Sequence, residues 1–457
     1  MTDYDVIVLG GGSAGSSAAA AAQTAGAKTL MINDGELGGL CILRGCMPTK
    51  SMLAAAHAIH EARHLDPFGA RLDGRIEVDF SAIVSRKDEH VARFKRAKID
   101  SIETAGYDVL DSSGRFAESG VIEAGGRRIR GKKFVIATGS TPALLPIPGI
   151  EDVTVWTSDD VMRLTEAPRR LIVQGGGPIG LELAQFFARI GTEVTLVNRS
   201  PLLAKTDAEC GVELRNAFLD EPRLKLAVPG KIERLSRSDS GLRAILAMDG
   251  ESDEIEADAL LMAVGRTAAV DGIGLESVGL ALRDGALRHD ATMLTDHPDI
   301  YVAGDATGDY QVLHLANQEA RIAGNNAAGG DPRTMDYRLK TCVVFTDPPF
   351  AQVGVGEQEA RSAGLDMVVG REHFPQTGRA ITMETRHGIW KLVADRKSGE
   401  ILGASILGPR ADDLIHEIAV MMHYRGKVGD IFDLPLYHPT LSEVLVNVAR
   451  DIENQRT

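Results

Sequence analysis

Residues 4–33, YDVIVLGGGSAGSSAAAAAQTAGAKTLMIN, contain an apolar strand, a glycine turn, an alanine-rich helix and a second strand. Gly10, Gly12 and Gly15 have the G-x-G-x-x-G spacing of a dinucleotide-binding unit. The first glycine suits the tight turn, the second lets the backbone approach a pyrophosphate, and the third allows the helix to pack closely on the strand. The stretch therefore predicts an α/β domain that binds a dinucleotide.

The same pattern recurs in residues 169–198, RRLIVQGGGPIGLELAQFFARIGTEVTLVN, where Gly175, Gly177 and Gly180 follow a strand and open a helix. A single glycine pattern of this kind is also compatible with a purely structural turn. Two copies, each in a complete strand-turn-helix context, favour two nucleotide sites over that alternative.

Two further apolar strands, in residues 132–142 and 297–307, are predicted to return to the sheet of the first domain. After about Tyr337 the pattern changes to strands mixed with helices, which indicates a separate C-terminal domain. The expected fold is α/β, with two Rossmann-like dinucleotide-binding domains and a C-terminal α+β domain.

Composition narrows the function classes. The 457 residues are too many for one hydrophobic core. No apolar run approaches the ~18 residues of a membrane span, and the N-terminus enters a strand pattern directly, so a cytoplasmic protein is expected. A formal net charge of −14 argues against nucleic acid as a partner. Four cysteines are too few for a disulfide framework, so any disulfide is expected to be catalytic.

Two of those cysteines, Cys41 and Cys46, lie in residues 35–53, GELGGLCILRGCMPTKSML. Five residues of regular helix rise about 7.5 Å, so the two can form a disulfide only if the intervening segment is bent, which Gly45 allows. Pro48 suits the first turn of a helix, and a helix N-terminus beside Cys46 would stabilise its thiolate. A pair of buried structural cysteines is the alternative. A zinc site is disfavoured because the chain has no C-x-x-C pair.

The segment GGLCILRGCMPTK resembles the redox-active segment of the FAD-dependent pyridine nucleotide-disulfide oxidoreductases, the family of dihydrolipoamide dehydrogenase, glutathione reductase and mercuric reductase. The resemblance extends over the whole chain, through ATGS at 137–140, VGR at 264–266, AGDA at 303–306 and HPTLSE at 438–443. It implies an FAD-binding domain at 1–146, an NAD(P)-binding domain at 147–267, a central domain completing the FAD domain at 268–336, and an interface domain that forms a homodimer at 337–457.

The resemblance implies an electron relay from NAD(P)H through FAD to a Cys41/Cys46 disulfide. Cys46 matches the sulfur next to the flavin, which forms the charge-transfer thiolate, and Cys41 matches the interchange thiol that attacks the substrate. His438 matches the proton carrier of thiol-disulfide exchange, oriented by Glu443. In the family this histidine serves the disulfide of the other subunit, so a homodimer is the expected active unit.

Other residues match family positions around the cofactors. Lys50 and Glu182 correspond to an ion pair near the flavin, and Asp305 to the carboxylate that binds the FAD ribityl chain. The positions predicted to bind cofactors are Gly10, Gly12, Gly15, Asn33, Asp34, Gly39, Lys50, Gly114, Thr138, Gly139 and Asp305 for FAD, and Gly175, Gly177, Gly180, Asn198, Arg199, Lys205, Gly265 and Arg266 for the nicotinamide nucleotide.

The chain departs from the family where a ribose-binding acid is expected, because both second strands end in asparagine, Asn33 and Asn198. Asp34 follows the first and keeps FAD as the expected cofactor. Arg199 follows the second, and Lys205 comes six residues later. Cations attract a 2′-phosphate that a carboxylate would repel, so NADP is the expected coenzyme, with NAD as the alternative.

The substrate is less determined than the chemistry. Ala20 stands where glutathione reductase has an arginine that contacts glutathione, and the chain lacks the C-terminal cysteine pair of mercuric reductase, which also has tyrosine in place of His438. HPTLSE is most similar to dihydrolipoamide dehydrogenase, so a lipoamide-type substrate, small or protein-bound, is expected. Arg44 is unusual within the redox segment; it favours either thiolate or an acidic substrate, or is merely solvated.

Three alternatives stay open at this point. The chain could reduce another disulfide with NADPH, reduce a metal ion, or sense redox state without turnover. His57, His60 and His64 share one helical face, which is interpreted as a polar face and not as a metal site.

Overall fold

The computed structural model describes residues 3–248 and 250–456. The chain divides into two compact units. The first unit contains residues 1–51, 85–143 and 265–336, and the second contains residues 52–84, 144–264 and 337–457. The four domain boundaries expected from the family resemblance stay a prediction.

The helices are numbered in chain order. They are α1 (Ser13–Thr24), α2 (Gly39–Leu43), α3 (Cys46–Arg63), α4 (Phe80–Glu103), α5 (Ser158–Val161), α6 (Pro178–Ile190), α7 (Ala208–Leu219), α8 (Leu313–Ala327), α9 (Glu357–Ser362), α10 (Gly378–Thr382), α11 (Ala411–His423) and α12 (Val444–Arg456). No helix in the described residues combines the length and the apolar character that crossing a membrane requires.

The strands are numbered in the same way. They are β1 (Tyr4–Leu9), β2 (Thr29–Asn33), β3 (Asp108–Asp111), β4 (Gly114–Glu118), β5 (Val121–Ala124), β6 (Arg127–Ile136), β7 (Ser140–Pro142), β8 (Val155–Trp156), β9 (Arg170–Gln174), β10 (Glu193–Val197), β11 (Leu224–Ala227), β12 (Lys231–Ser238), β13 (Gly241–Met248), β14 (Glu251–Ala257), β15 (Ala259–Met262), β16 (Arg266–Ala268), β17 (Ile300–Val302), β18 (Thr341–Val344), β19 (Phe350–Gly354), β20 (Met367–His373), β21 (Ile389–Asp395) and β22 (Ile401–Leu407).

The first unit is built on a sheet with the order β3-β2-β1-β6-β5-β4, in which β17 also pairs with β6. Strands β2, β1, β6 and β17 are parallel, with Val6 opposite Thr29 and Ile7 opposite Phe134. Strand β1 buries its last four residues, as expected for a parallel strand covered on both faces. The predicted return of residues 132–142 and 297–307 to this sheet is confirmed.

The second unit contains the other predicted nucleotide-binding segment. Its parallel sheet has the order β11-β10-β9-β15-β8, and an antiparallel sheet has the order β12-β13-β14. Helix α6 is buried from Gly180 to its last residue, Ile190, so even its polar side chains lie in the interior. The C-terminal part of this unit is an antiparallel sheet, β18-β19-β22-β21-β20, packed against α11 and α12 around Trp390. The α/β fold class with a C-terminal α+β segment is confirmed.

A buried ion cluster joins segments of the second unit that are distant in sequence. The ammonium group of Lys391, whose side chain is 3% exposed, lies 2.9 Å from Asp207 Oδ2, 2.7 Å from Glu209 and 2.8 Å from Glu357. Arg371 bridges the two glutamates at 2.9 and 2.8 Å. Burial alone would raise the pKa of Glu357, but hydrogen bonds from Lys391 and Arg361 lower it to about 2.

Replacing Lys391 with Met is expected to lower the free energy of unfolding by about 3–5 kcal/mol, because it leaves buried carboxylates without their cation. The pKa of Glu357 lies below its ordinary value of 4.5, so its stabilising contribution is complete above that value and disappears as pH falls toward 2. The deficit of Lys391→Met should therefore be largest near neutral pH and shrink in acid.

Urea unfolding between pH 3 and 7 measures this effect. Lys397→Met, at an exposed lysine of the same C-terminal segment, is the matched control and should change stability by less than ~0.5 kcal/mol. A deficit for Lys391→Met that stays constant with pH would contradict the assignment of the cluster.

Candidate active site

The first glycine turn is shaped by contacts that leave no room for side chains. Gly10 has φ +109°, and a Cβ there would lie 2.2 Å from the carbonyl oxygen of Ala137. A Cβ on Gly15 would lie 1.8 Å from the carbonyl oxygen of Gly10. Helix α1 begins at Ser13 and has no carboxylate in its first turn, so its N–H groups and dipole favour an anion such as a pyrophosphate.

The second turn repeats this geometry. Gly175 has φ +124°, and a Cβ there would lie 2.2 Å from the carbonyl oxygen of Ala263, while a Cβ on Gly180 would lie 2.0 Å from that of Gly175. Arg199 and Lys205 are exposed, and within residues 3–248 and 250–456 their side chains make no hydrogen bond or ion pair. Both cations are therefore available to a ligand.

Asn33 and Asn198 serve the two turns in the same way. The side-chain oxygen of Asn33 accepts a hydrogen bond from the N–H of Gly11 at 2.9 Å, and its amide nitrogen donates to the carbonyl of Gly35 at 2.7 Å. Asn198 accepts from Gly176 at 3.0 Å and donates to the carbonyl of Ser200 at 2.7 Å. The sequence predicts both asparagines as cofactor-binding positions that lack the expected acid, and that role stays a prediction. The structure gives each asparagine a role in closing its turn.

The cysteine segment is bent between two helices. Helix α2 ends at Leu43, Arg44 leaves the helical conformation at φ −144° and ψ 1°, and α3 begins at Cys46. A Cβ on Gly45 would lie 2.9 Å from the carbonyl oxygen of Leu40, so glycine is needed here for space. The predicted bend and the helix start at Cys46 are both present.

The same segment lies against the first glycine turn. A Cβ added to Gly39 would approach the Cα of Gly12 to 2.5 Å. Because α2 starts at Gly39 and α1 is capped by Gly12, the cysteine segment starts directly beside the N-terminus of α1. The dinucleotide turn and the thiols therefore belong to one site.

The two thiols differ in their ionisation. The pKa of Cys41 is raised well above its ordinary value, first by a hydrogen bond to the sulfur of Cys46, then by burial and by the charge of Cys46. The positive charge of Lys50, one turn into α3, partly opposes the increase. Cys46 lies in the first turn of α3, where the helix dipole favours a thiolate. The hydrogen bond to Cys46 and the burial of Cys41 thus both favour the protonated form of Cys41.

A chain of hydrogen bonds leads from Arg266 through Ser140 to Asp305. The side chain of Arg266 donates to Ser140 Oγ and to its carbonyl oxygen, both at 2.8 Å, and Ser140 Oγ donates to Asp305 Oδ2 at 2.6 Å. The hydroxyl of Thr138 is buried, with no hydrogen-bond partner among the described residues. An unpartnered hydroxyl, an oriented carboxylate and the open glycine turn all fit FAD.

Three predicted glycines have different surroundings. Gly114 packs against the sheet, where a Cβ would lie 2.9 Å from Leu9 Cδ2, which accounts for glycine without a ligand. Gly139 and Gly265 have positive φ values of +79° and +116°, and a Cβ on either would meet nothing within 4 Å. Asp34 is exposed.

His438 is held by a carboxylate. Glu443 receives hydrogen bonds from His438 Nδ1 at 3.0 Å and from the N–H of Thr440 at 3.0 Å. The Thr440 N–H and His438 lower the pKa of Glu443. The His438 side chain is 79% exposed, so Nε2 can exchange protons with a molecule outside the chain. Ser442 donates to Glu417 at 2.7 Å and fixes the same loop on α11.

Comparison with known proteins decides the family. The sequence profile described as Pyridine nucleotide-disulphide oxidoreductase matches residues 4–320, and that of the dimerisation domain of the same family matches residues 341–449. The chain belongs to the pyridine nucleotide-disulphide oxidoreductase family. This family comprises FAD-binding oxidoreductases that use NAD(P)H, and the dimerisation domain supports a homodimer.

Relatives of several activities share this family. A dihydrolipoyl dehydrogenase of Thermus scotoductus is 35% identical over 463 residues, covering 100% of this chain and 98% of the relative. A mercuric reductase of Staphylococcus aureus is 33% identical, covering 97% of this chain and 81% of the relative. The Cu(II) complex of the HOCl-induced flavoprotein disulfide reductase RclA from Escherichia coli has a TM-score of 0.85 at 27% identity, covering 98% of this chain and 99% of that one.

The histidine face of α3 has protein partners. His57 Nδ1 lies 3.2 Å from Asp347, whose hydrogen bond raises the pKa of His57. His60 and His64 stack with ring centroids 4.1 Å apart, and burial is the main cause that lowers the pKa of His60 to about 4.

Two residues that were not predicted as site residues, Ser140 and Gln185, lie in hydrogen-bond networks around predicted ones. The only available signal for Gln185 was its spacing from Glu182 on a helix of apolar composition.

Ser140→Ala is expected to weaken FAD binding about tenfold, because Asp305 loses the hydroxyl that orients it and Arg266 loses an acceptor. Titration of the apoprotein with FAD, followed by flavin fluorescence, measures this affinity. Thr141→Val is the matched control, since the Thr141 hydroxyl pairs with Thr267 and not with Asp305. Equal FAD affinities for the two variants would contradict a role of this hydrogen-bond chain in FAD binding.

Proposed function

We propose that the protein is an FAD-dependent disulfide oxidoreductase whose Cys41/Cys46 pair exchanges electrons with a lipoamide-type disulfide or dithiol. The observation that carries the proposal is the hydrogen-bonded pair of thiols, Cys41 and Cys46, held beside a dinucleotide turn. A structural cysteine pair would need neither the helix N-terminus at Cys46 nor the contact between Gly12 and Gly39. FAD, when bound, supplies two-electron transfer between a nicotinamide nucleotide and the cysteine pair.

The exchange itself is carried by residues of the chain. His438 removes the proton of Cys41, and the resulting thiolate attacks one sulfur of the substrate disulfide, forming a mixed disulfide. The substrate sulfur that leaves takes the proton from His438. The Cys46 thiolate then attacks Cys41, which re-forms the Cys41/Cys46 disulfide and releases the second substrate sulfur as a thiol after protonation. Glu443 holds Nδ1 of His438, so Nε2 is the nitrogen that exchanges the proton.

The lipoamide assignment rests on relatives and on the base. Several relatives at 30–35% identity that span almost the whole chain are named dihydrolipoyl dehydrogenase. The HPTLSE motif supplies a histidine with its carboxylate partner, which is the acid-base pair that disulfide exchange requires. Because the matching histidine of the family serves the disulfide of the other subunit, His438 is proposed to act on the disulfide of the partner subunit. The cytoplasmic location stays a prediction.

Steady-state assays with lipoamide, glutathione disulfide, coenzyme A disulfide and Cu(II) test the substrate. Lipoamide is expected to give the largest kcat/KM, by about tenfold or more. The Cu(II) complex of the RclA relative makes a metal ion the informative alternative. Faster turnover with Cu(II) would overturn the lipoamide assignment, and nicotinamide oxidation with none of the four would favour a redox sensor without turnover.

Cysteine variants test the roles within the pair. Cys41→Ser should show a long-wavelength absorbance band between the Cys46 thiolate and oxidised flavin without any reductant, whereas Cys46→Ser should lack the band. Cys342→Ser is the matched control, because burial raises the pKa of Cys342 to about 11 and keeps it protonated. A Cys41→Ser protein with an ordinary flavin spectrum at neutral and alkaline pH would reverse the role assignment.

NADPH is the proposed coenzyme. Asn198 replaces the acid that would repel a 2′-phosphate, and Arg199 and Lys205 are exposed near the same strand end. Charge-assisted bonds to phosphate contribute about 1.5–3 kcal/mol each, more than the neutral hydrogen bond that a ribose hydroxyl offers.

NADPH should therefore exceed NADH in kcat/KM by roughly tenfold or more, since ~1.4 kcal/mol is one factor of ten. Arg199→Ala combined with Lys205→Ala should remove this preference and leave kcat/KM for NADH within about twofold. Arg215→Ala, at an exposed arginine of α7, serves as the control. A wild-type protein that prefers NADH would return the chain to NAD-linked chemistry.

A further inference from the structure

Helix α6 carries an unusual polar stripe in a buried setting. Glu182, Gln185 and Arg189 follow one another at i, i+3 and i+7, which places them on one face of the helix. They are only 3%, 2% and 6% exposed. Buried polar groups of this kind need specific partners, so the stripe must face a segment that satisfies them.

All three side chains contact the same short segment of the second unit, residues 345–347. Glu182 Oε1 accepts from the N–H of Phe345 at 2.9 Å. Gln185 pairs with both backbone groups of Asp347, accepting from its N–H at 2.8 Å and donating to its carbonyl at 2.9 Å. Arg189 reaches the Asp347 carboxylate at 2.9 Å. The stripe therefore binds the first and the last residue of this segment, through backbone groups of Phe345 and Asp347 and through the Asp347 carboxylate.

The far end of the stripe is anchored by charge. Arg189 also contacts Glu221 at 2.6 Å, and Glu221 accepts from Gln185 at 3.0 Å. Burial would raise the pKa of Asp347, but His57 and Arg189 hold it below its ordinary range. The Asp347 end of the segment is thus fixed by charged partners. Gln185 binds the backbone of Asp347, and it thereby also restrains Phe345, whose N–H donates to Glu182.

We infer that Gln185 is a positioning residue that holds the Phe345–Asp347 segment so that the Phe345 N–H fixes the carboxylate of Glu182. The inference rests on the proposed function, because Glu182 matches the acid that the family places near the flavin. The half-reaction that depends on Gln185 is then reduction of the flavin by the nicotinamide nucleotide. The disulfide half-reaction, carried by the cysteines and His438, is independent of it.

Gln185→Met keeps the length of the side chain and removes both hydrogen bonds to Asp347. Stopped-flow flavin reduction by NADPH is expected to slow about tenfold, while oxidation of the pre-reduced enzyme by lipoamide changes less than twofold. His438→Ala is the contrasting variant and should slow only the second step. Lys391→Met is the control for destabilisation, since it removes a buried ion cluster whose residues do not belong to the stripe.

The double variant separates positioning from a merely structural role. If Gln185 acts through Glu182, Gln185→Met should slow flavin reduction in the wild type but by less than about twofold in a Glu182→Gln background. The inference would be overturned if the two substitutions slowed flavin reduction by independent, multiplicative factors. It would also be overturned if Gln185→Met reduced its flavin at the wild-type rate. If the protein turned over none of the disulfides but still showed this non-additive pattern, only the proposed function would be overturned.

Gln185→Glu provides a second test that survives misfolding of the Met variant. A glutamate keeps an acceptor for the Asp347 N–H but donates to the Asp347 carbonyl only when protonated. It would face Glu221, Glu182 and Asp347, with Arg189 and His57 as the nearby cations. Flavin reduction in this variant should recover as pH falls, unlike in the wild type. A parallel pH profile, or loss of flavin from both variants while Lys391→Met retains it, would contradict the inference.

Discussion

The approach of Gly39 to Gly12 is the constraint on which the site depends. A dinucleotide turn needs an open helix N-terminus, and the cysteine segment needs to start beside that opening. Both conditions hold because neither position carries a side chain, so two backbones come within van der Waals contact. Helix α2 starts at Gly39, and the chain bends at Gly45, so that Cys46 lies in the first turn of α3. The placement of the two thiols then follows from local geometry.

The second unit solves a different problem, which is to hold distant chain segments together with polar groups in the interior. One network surrounds Lys391, and another runs along α6 through Gln185 and Arg189 to Asp347. Buried charges contribute little net stability compared with apolar packing, but removing one partner is costly. Such networks specify which segments meet. In this unit they join the nucleotide-binding segment to the dimerisation segment and to the later turns of α3.

Local patterns in the sequence predicted the parts of the fold that local physics determines. The glycine spacing and apolar strands predicted both parallel sheets, and Pro48 with Cys46 predicted the start of α3. The role of Gln185 was not predictable, because its partners lie 162 residues away and on backbone atoms that carry no sequence signature. Asn198 was predicted as a coenzyme-binding position without the expected acid, but its bonds to Gly176 and Ser200 were not predictable, since they depend on the folded turn. The pairing of Arg266 with Ser140 likewise required the sheet contact between β16 and β7.

Asn198 makes two hydrogen bonds within its own turn. The residue at this coenzyme position therefore also decides whether the turn stays intact. Its oxygen holds Gly176 and its amide hydrogen holds Ser200, so a carboxylate at this position would keep the first bond and repel the Ser200 carbonyl. Replacement of Asn198 by an acid, without any other change, would therefore loosen the loop. Divergence within the family is easier if the loop after β10 changes first. The order in which substitutions accumulate, and not only their identity, then decides which coenzyme a descendant can adopt.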